Sequence, residues 1–304
     1  MKTAFIMPCR NKAFFVGHTA RSILNQTYSP MEILLSDQGS TDGSAAIIED
    51  LARSYNGPNI VRVLHCPDTE PKGYAGLNAH VNWIHTQTDA DMIILCSADD
   101  LNHPNRAAET VKVYEKFNPS CVATKVLFVD PEEDGKGTIT ASTGFPKEDR
   151  FVTTAENIEH MVGSSSSMSY ARDLFDKFGP FKGVEHQDMT LPFYATLPSE
   201  RGFYYINLPL HYYMKHADIN NTGLEGIHRA ATTEEDKFAA IELINYHTSS
   251  TWFAIIRKLE ITGAEINSDA RDALLLKALY SSNQWAMARD KLTLDRFKPM
   301  SMVA

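Results

Sequence analysis

Residues 31–44 read MEILLSDQGSTDGS, an apolar run that stops at the carboxylate of Asp37 and turns through glycine into a helix. A buried parallel strand that presents polar groups at its carboxyl end is how open α/β sheets build ligand sites. The pattern admits two interpretations of this strand end. Asp37 and Gln38 bind a ligand through their carboxylate and amide groups, or Asp37 only begins a turn while Ser40 or Asp42 caps the following helix.

The first part of the chain alternates short apolar runs with stretches of helical spacing. This pattern predicts strands at residues 3–7, 32–36, 59–64 and 91–96, and helices at 15–25, 43–54, 74–87 and 104–117. The alternation predicts an α/β fold with a mostly parallel, Rossmann-like sheet and helices on both faces. Because ligands bind such sheets at the carboxyl ends of the strands, polar groups at those ends are expected to converge.

Marked polar groups follow the first and fourth predicted strands, at the same expected edge as Asp37. Arg10 follows the first strand, and Asp99 with Asp100 follows the fourth. Paired carboxylates there are costly unless they are solvated, paired or metal-bound, and Mg²⁺ or Mn²⁺ commonly bridges such carboxylates to a substrate diphosphate. The alternative is a helix N-terminus, where Asp is favoured and where Pro104 would lie just inside the helix.

The later part of the chain has a different pattern. It predicts strands at 122–129, 137–143, 204–208 and 210–214, a hairpin turn at 130–135, and helices at 172–178, 232–246, 252–259 and 269–279. We therefore expect a catalytic or binding domain over residues 1–216 and a helical C-terminal extension over 217–304.

Composition excludes several classes of protein. The net charge of −9 argues against a general electrostatic attraction to nucleic acid. The longest apolar runs fall far short of the roughly 20 residues of a membrane span. The four cysteines stand singly, which predicts neither a zinc knuckle nor a disulfide framework and favours a cytoplasmic location.

Five segments, in this order along the chain, carry a family resemblance. They are PCRNK at 8–12, SILNQTY at 22–28, DQGSTDG at 37–43, ADD at 98–100, and GPF at 179–181 with QD at 187–188. The set resembles the family-2 glycosyltransferases of the GT-A fold, over roughly residues 1–216. The resemblance implies a GT-A-like sheet and an inverting transfer of a sugar from a nucleotide-diphosphate donor to an acceptor hydroxyl.

The resemblance also implies roles for particular residues. The donor nucleotide is expected to contact Pro8, Arg10, Asp37, Gln38, Asn78, Ala98 and Asp99. A divalent cation, Mn²⁺ or Mg²⁺, is expected on Asp99, Asp100 and His216. Asp188 corresponds to the carboxylate that acts as general base, and acceptor contacts are expected from Ser165, Ser166, His186 and Gln187.

The chain departs from the common family pattern at five positions. Gln38 and Ser97 stand where acidic residues are usual, Arg10 stands where an aromatic residue is often found, and Leu77 and Met214 stand where arginine is common. Donor specificity is therefore open, because a glutamine amide can match uracil, thymine, cytosine or adenine.

Two other functions remain alternatives at the level of the sequence. A sugar-activating nucleotidyltransferase also pairs an α/β sheet with carboxylates, but residues 8–14 lack the glycine of a phosphate-binding loop. A non-catalytic nucleotide- or sugar-binding relative would explain the departures from the pattern. The acceptor, whether glycan, protein, nucleic acid or small molecule, stays open, as does homo-oligomerisation through the C-terminal helices.

Overall fold

The computed structural model describes residues 1–67, 73–130, 138–141, 146–153, 156, 163–182, 186–196, 201–216, 251–252 and 255. Its helices are α1 (Ala13–Leu24), α2 (Ser44–Ser54), α3 (Gly73–His85), α4 (Arg106–Phe117), α5 (Arg172–Phe178) and α6 (Gln187–Thr196). Within the described ranges, no helix combines the length and the apolar character that crossing a membrane requires.

The strands form one mixed sheet. They are β1 (Thr3–Cys9), β2 (Glu32–Asp37), β3 (Ile60–His65), β4 (Met92–Leu95), β5 (Leu101–Asn102), β6 (Cys121–Asp130), β7 (Thr138–Ala141), β8 (Arg150–Val152), β9 (Met168–Ala171) and β10 (Phe203–Met214). The order across the sheet is β3-β2-β1-β4-β9-β6-β10-β5, with β7 paired to β6 and β8 to β10. Strands β1 to β4 are mutually parallel, and β9 runs antiparallel between β4 and β6.

Strand β1 is buried along its whole length because both faces of the sheet are covered. Its side chains alternate between two apolar clusters: Ala4 and Ile6 pack in one, while Phe5 and Met7 pack in the other. Burial on both faces leaves the strand ends as the place where polar groups of these strands gather, which positions the candidate site.

The structure confirms the predicted fold class. The four strands and four helices predicted in the first part of the chain are all present, with ends within two residues of the predicted ones. The predicted helix at 172–178 is α5, and the predicted strands at 122–129 and 137–143 are β6 and β7, which pair antiparallel like the arms of a hairpin. Residues 131–135 of the predicted turn lie outside the described residues.

The prediction of two strands around Pro209 is wrong. A single strand, β10, runs through this residue, and its pairing with β6 shifts register on either side of Pro209. A proline lacks the N–H that a sheet ladder needs, so the strand accommodates it with an irregularity instead of ending there. The short strands β5, β8 and β9 had no prediction of their own, because so few residues leave no measurable alternation.

Most of the predicted C-terminal helices, including 232–246 and 269–279, lie outside the described residues. Of the predicted helix at 252–259, Trp252 and Ile255 are described, and both are helical and buried. The Trp252 ring packs edge to face on Phe193 of α6, with 5.5 Å between centroids. The division into domains 1–216 and 217–304, and self-association through the extension, stay predictions.

Candidate active site

The second aspartate of the DQGSTDG segment, Asp42, makes hydrogen bonds that join two loops of the protein. Asp42 Oδ2 accepts a hydrogen bond from Ala13 N at 2.9 Å, and its Oδ1 accepts one from Ser44 N at 3.0 Å. Ser44 Oγ in turn accepts from Lys12 N at 2.8 Å. Asp42, which precedes the N-cap residue Gly43, thus accepts from the first residue of both α1 and α2, and its contacts hold the loop after β1 against the loop after β2.

Asp37 and Gln38, at the start of the same segment, are buried and differ from Asp42 in their hydrogen bonding. Both residues are 3% exposed. Asp37 Oδ2 accepts from Ser40 N at 2.9 Å, but among the described residues neither Asp37 Oδ1 nor Gln38 Nε2 has a hydrogen-bond partner. Buried polar atoms without partners are costly and uncommon in folded proteins. This strand end consequently offers one acceptor and one donor to a ligand, which favours the first of the two sequence interpretations.

Asp99 receives cationic and imidazole groups from distant parts of the chain. Its Oδ2 lies 2.8 Å from Lys12 Nζ and 3.2 Å from His216 Nε2. Burial alone would raise the pKa of Asp99, but the hydrogen bond from His216 and the charge of Lys12 outweigh it and lower that pKa to about 2. The predicted convergence of the first and fourth strand ends is present in this cluster.

His216 has the environment of a metal-binding histidine. Its ring stacks on Phe15 at 4.3 Å, and its Nδ1 is buried without a partner among the described residues. A histidine that donates Nε2–H to a carboxylate keeps its lone pair on Nδ1, the arrangement common in metal sites. The Nδ1 atom of His216 therefore fits a cation that takes further ligands from a substrate diphosphate; because Nδ1 points away from the Asp99 contact, Asp99 can bind the same cation only once its contact with Nε2 opens. The described residues include no group of three His, Cys, Asp or Glu able to hold a metal by themselves.

Asp100 turns the other way, towards β10. It is 2% exposed, its Oδ1 accepts from Met214 N at 3.0 Å, and its Oδ2 lies 3.3 Å from His211 Nε2. That second contact is at ion-pair distance but outside good hydrogen-bond geometry. The metal role of Asp100 stays a prediction, and the contacts observed here hold the end of β10, from which His216 follows.

A buried arginine that the sequence analysis missed supports this arrangement. Arg106 is fully buried, and it donates to Leu95 O at 2.9 Å and to Asn102 Oδ1 at 2.5 Å. Desolvation lowers its pKa to about 10, so it remains a cation at neutral pH. Its Nη1 lies 3.4 Å from His211 Nδ1. Because arginine only donates, His211 accepts on Nδ1 and carries its proton on Nε2, the atom that faces Asp100.

The predicted general base lies at the start of α6. The Asp188 side chain is 37% exposed, yet dense surrounding protein desolvates it and raises its pKa, while His186 at 4.0 Å opposes the rise. Gln187 Nε2 donates to Asn78 Oδ1 at 2.9 Å, which ties α6 to α3, and His186 N donates to Thr251 Oγ1 at 3.1 Å.

The remaining predicted residues lie around these groups. Residues Ser165–Ser167 form a short 3₁₀ turn. Ser166 Oγ is 2.6 Å from Ser97 Oγ, so this turn contacts the residues that follow β4, and Ser165 is half-buried in it. Ala98 O accepts from Thr19 Oγ1 at 3.0 Å, and Pro8 pairs with Ser36 inside the sheet.

His80 is a further buried polar group at this edge of the sheet. Its Nε2 is 2.7 Å from Ser36 Oγ. Burial and the charge of Arg10 lower its pKa to about 3, so His80 is neutral at physiological pH. No local sequence pattern distinguished this histidine, because its partner lies on a different element.

Comparison with known proteins is consistent with this geometry. The family model described as "Glycosyl transferase family 2" matches residues 4–179. The chain belongs to this family. Among curated relatives, it is 24% identical over 188 residues to "Uncharacterized glycosyltransferase alr2836" of Nostoc sp. (strain PCC 7120 / SAG 25.82 / UTEX 2576), a match that covers 61% of this chain and 55% of the relative. The chain spans about half the length of the curated relatives it matches.

Solved glycosyltransferase structures share the fold. Residues 1–349 of S. aureus TarS in complex with UDP-GlcNAc give a TM-score of 0.59 at 13% identity, covering 100% of this chain and 95% of that one. The mannosyltransferase PcManGT from Pyrobaculum calidifontis, in complex with GDP-Man and Mn²⁺, gives 0.55 at 15% identity, covering 98% and 76%. At such identities the likeness shows the fold, and it confirms the GT-A-like architecture of this family-2 chain.

Proposed function

We propose that this family-2 protein is an inverting glycosyltransferase that moves a sugar from a nucleoside-diphosphate donor to an acceptor hydroxyl. The observation that carries the proposal is the convergence at the carboxyl ends of β1, β2 and β4. There Asp37 and Gln38 each keep a polar atom that has no hydrogen-bond partner within the described part of the chain, and Asp99 faces Lys12 and His216. Family membership supports the same reaction, as do the nucleotide-sugar complexes of the structures that share the fold.

The donor nucleotide is proposed to bind at the end of β2. A buried acceptor on Asp37 beside a buried donor on Gln38 matches a base edge that places an N–H next to a carbonyl, as uracil and guanine do. Adenine and cytosine also place an N–H beside an acceptor, a ring nitrogen, so it is the UDP-GlcNAc and GDP-Man complexes of the structures that share the fold, and not this pair of atoms alone, that favour a UDP or GDP donor. The other residues proposed to contact the donor lie nearby in the fold. Pro8 is in β1, Arg10 follows β1, Asn78 is in α3, and Ala98 and Asp99 follow β4.

Asp99 and His216 are proposed to hold the divalent cation, with Asp100 as a further predicted ligand. A bound Mn²⁺ or Mg²⁺ would supply positive charge to the leaving diphosphate. Asp99 is suited to this task because it is ionised at all physiological pH values. The His216 ring is kept in place by its stack on Phe15.

Asp188 is proposed as the general base. Its carboxylate would accept the proton of the acceptor hydroxyl as that oxygen bonds to the anomeric carbon and the nucleoside diphosphate leaves. A raised pKa makes a carboxylate a stronger base, and its partial exposure leaves a path for an acceptor. We propose that His186 and the serines at 165 and 166 contact the acceptor, while Gln187, whose amide is bonded to Asn78, positions α6.

The state of the cysteines bears on the cellular location. All four cysteines are free thiols, which supports the proposal of a reducing, cytoplasmic location. The acceptor class stays open among glycans, proteins, nucleic acids and small molecules.

A thermal-shift screen tests the proposal. UDP, GDP, ADP, CDP, UDP-GlcNAc and GDP-Man are each added with and without Mn²⁺, because a ligand of the folded state raises its stability by mass action. We expect UDP or GDP compounds to raise the melting temperature, and more so with Mn²⁺. A melting temperature that stays flat across the whole panel would contradict the proposal.

A further inference from the structure

Lys12 is a charged residue of the candidate site, and the reaction proposed above assigns it no role. Only 9% of its side chain is accessible, and its Nζ lies 2.8 Å from Asp99 Oδ2. Hydrogen bonds fix the backbone of Lys12 in this position. Its backbone N donates to Ser44 Oγ, and its carbonyl accepts the first hydrogen bonds of α1. The ammonium group is thus delivered to Asp99 by a loop that the DQGSTDG segment holds in place.

This contact bears directly on how a cation enters. Lys12 and His216 both approach the same oxygen of Asp99, so the ammonium already neutralises the carboxylate. A divalent cation at that oxygen would lie close to the ammonium, and two cations repel strongly where little water screens them. Cation binding at Asp99 therefore requires the ammonium to move away.

The diphosphate of the donor offers the Lys12 ammonium a second anionic partner. Lysine binds phosphate as a flexible point charge on a four-carbon stem. A diphosphate held beside Asp99 would place anionic oxygens within the reach of Lys12. The movement from carboxylate to phosphate keeps the ammonium paired throughout, so neither state leaves a buried charge alone.

We propose that Lys12 is the resident counter-ion of Asp99, and that it passes to the diphosphate when cation and donor bind together. The inference rests on the proposed function, since it assumes a diphosphate donor beside Asp99. It makes the cation and the nucleotide bind cooperatively: each raises the affinity for the other, and by thermodynamic linkage the two factors are equal.

The test measures Mn²⁺ binding, not turnover. Free Mn²⁺ is followed by electron paramagnetic resonance during titration of wild type, Lys12→Met and Lys2→Met, first alone and then with saturating UDP or GDP. Lys2 is the matched control, because it is an exposed lysine whose ion pair with Asp89 lies on the surface. Melting temperatures verify that each variant is folded, and Lys12→Gln replaces Lys12→Met should the latter not fold.

Without nucleotide, we expect Lys12→Met to bind Mn²⁺ at least about tenfold more tightly than wild type, within the usual range of coupling between sites. Lys2→Met and the charge-retaining Lys12→Arg are expected to match wild type. Adding nucleotide is expected to tighten Mn²⁺ binding in wild type by about tenfold or more and to have much less effect in Lys12→Met. We expect the higher Mn²⁺ affinity of Lys12→Met to disappear when Asp99→Asn is introduced into the same protein.

Equal Mn²⁺ affinity in wild type and Lys12→Met would overturn the inference, even in a protein that transfers sugar. Conversely, a gain in Mn²⁺ affinity that depends on Asp99 would support the role of Lys12 as counter-ion, even if every sugar nucleotide proved inert. The first result removes the inference alone, and the second, combined with inert donors, removes the proposed function alone.

Discussion

Replacing Arg106 by Met is expected to destabilise the protein strongly, although Arg106 touches no solvent. Its guanidinium donates at 2.5 Å to Asn102 Oδ1 and at 2.9 Å to Leu95 O, with longer contacts of 3.3 Å to Met168 O and 3.4 Å to His211 Nδ1. These acceptors lie on or beside β4, β5, β9 and β10, so one side chain connects four strands around the candidate cation site.

The magnitude follows from opposing contributions. Hydrogen bonds to a charged group contribute about 1.5–3 kcal/mol each, so the two short ones amount to about 3–6 kcal/mol. Methionine fills much of the space and removes a buried charge, whose desolvation opposes folding by several kcal/mol. The acceptors left behind are buried, however, and unmade bonds to buried groups cost about 1–3 kcal/mol each. We expect the free energy of unfolding to fall by about 3 kcal/mol.

Urea unfolding followed by circular dichroism measures this loss. Arg53→Met is the matched control, because Arg53 makes only an exposed pair with Asp50 in α2, and its removal should cost less than about 0.5 kcal/mol. We also expect the Arg106 variant to bind Mn²⁺ with nucleotide more weakly, since His211 and Asp100 lose their support. Equal unfolding midpoints for the two variants would refute the structural role assigned to Arg106.

Three further predictions concern the strand ends and the base. Asp37→Asn should weaken UDP or GDP binding by roughly tenfold or more without lowering the melting temperature, because it changes the buried acceptor Oδ1, which no described residue contacts by a hydrogen bond; unchanged affinity by calorimetry would place the base elsewhere. The pKa of Asp188 is raised by burial, so the folded state favours the neutral form: the stability this contributes is complete at acid pH and is lost as pH rises through the folded pKa. Asp188→Asn should consequently raise the melting temperature at neutral pH and lose that advantage in acid, and a pH-independent difference would argue against burial as the cause. Gly163→Ala should cost more than Gly43→Ala, by about 1–2 kcal/mol, because both glycines have positive φ but only the Cβ at 163 would meet packed neighbours: Ala123 Cβ at 3.1 Å, and Met168 Cε at 2.7 Å on a fully buried side chain; denaturant midpoints in the reverse order would contradict this.

The elements that the sequence predicted well are those with a local cause. β1 and β2 are continuous apolar runs because both faces of the sheet are covered, and α1, α2 and α4 show the helical spacing of a single buried face. The expected gathering of Asp37 and Asp99 at one edge followed from the parallel order alone. The place of His216 came from the family resemblance and not from its immediate neighbours.

The features that escaped prediction depend on residues far apart in the chain. Lys12 meets Asp99, and Arg106 meets His211, through contacts that no periodicity encodes. Asp99 and Asp100 looked equivalent as a carboxylate pair, yet one faces Lys12 and the other faces β10. Consecutive residues after a strand point in different directions, and only the three-dimensional arrangement tells which of them faces the site.

The central claim is that the strand-end cluster and Asp188 together transfer sugar from a nucleotide donor. The most direct measurement is the release of nucleoside diphosphate from UDP- and GDP-sugars by wild type and Asp188→Asn, at donor concentrations shown to saturate both. We expect release by wild type with Mn²⁺, and a rate lower by about 10²–10⁴-fold in the variant at equal donor affinity. Equal rates in the two proteins, or no release from any donor that binds, would contradict it.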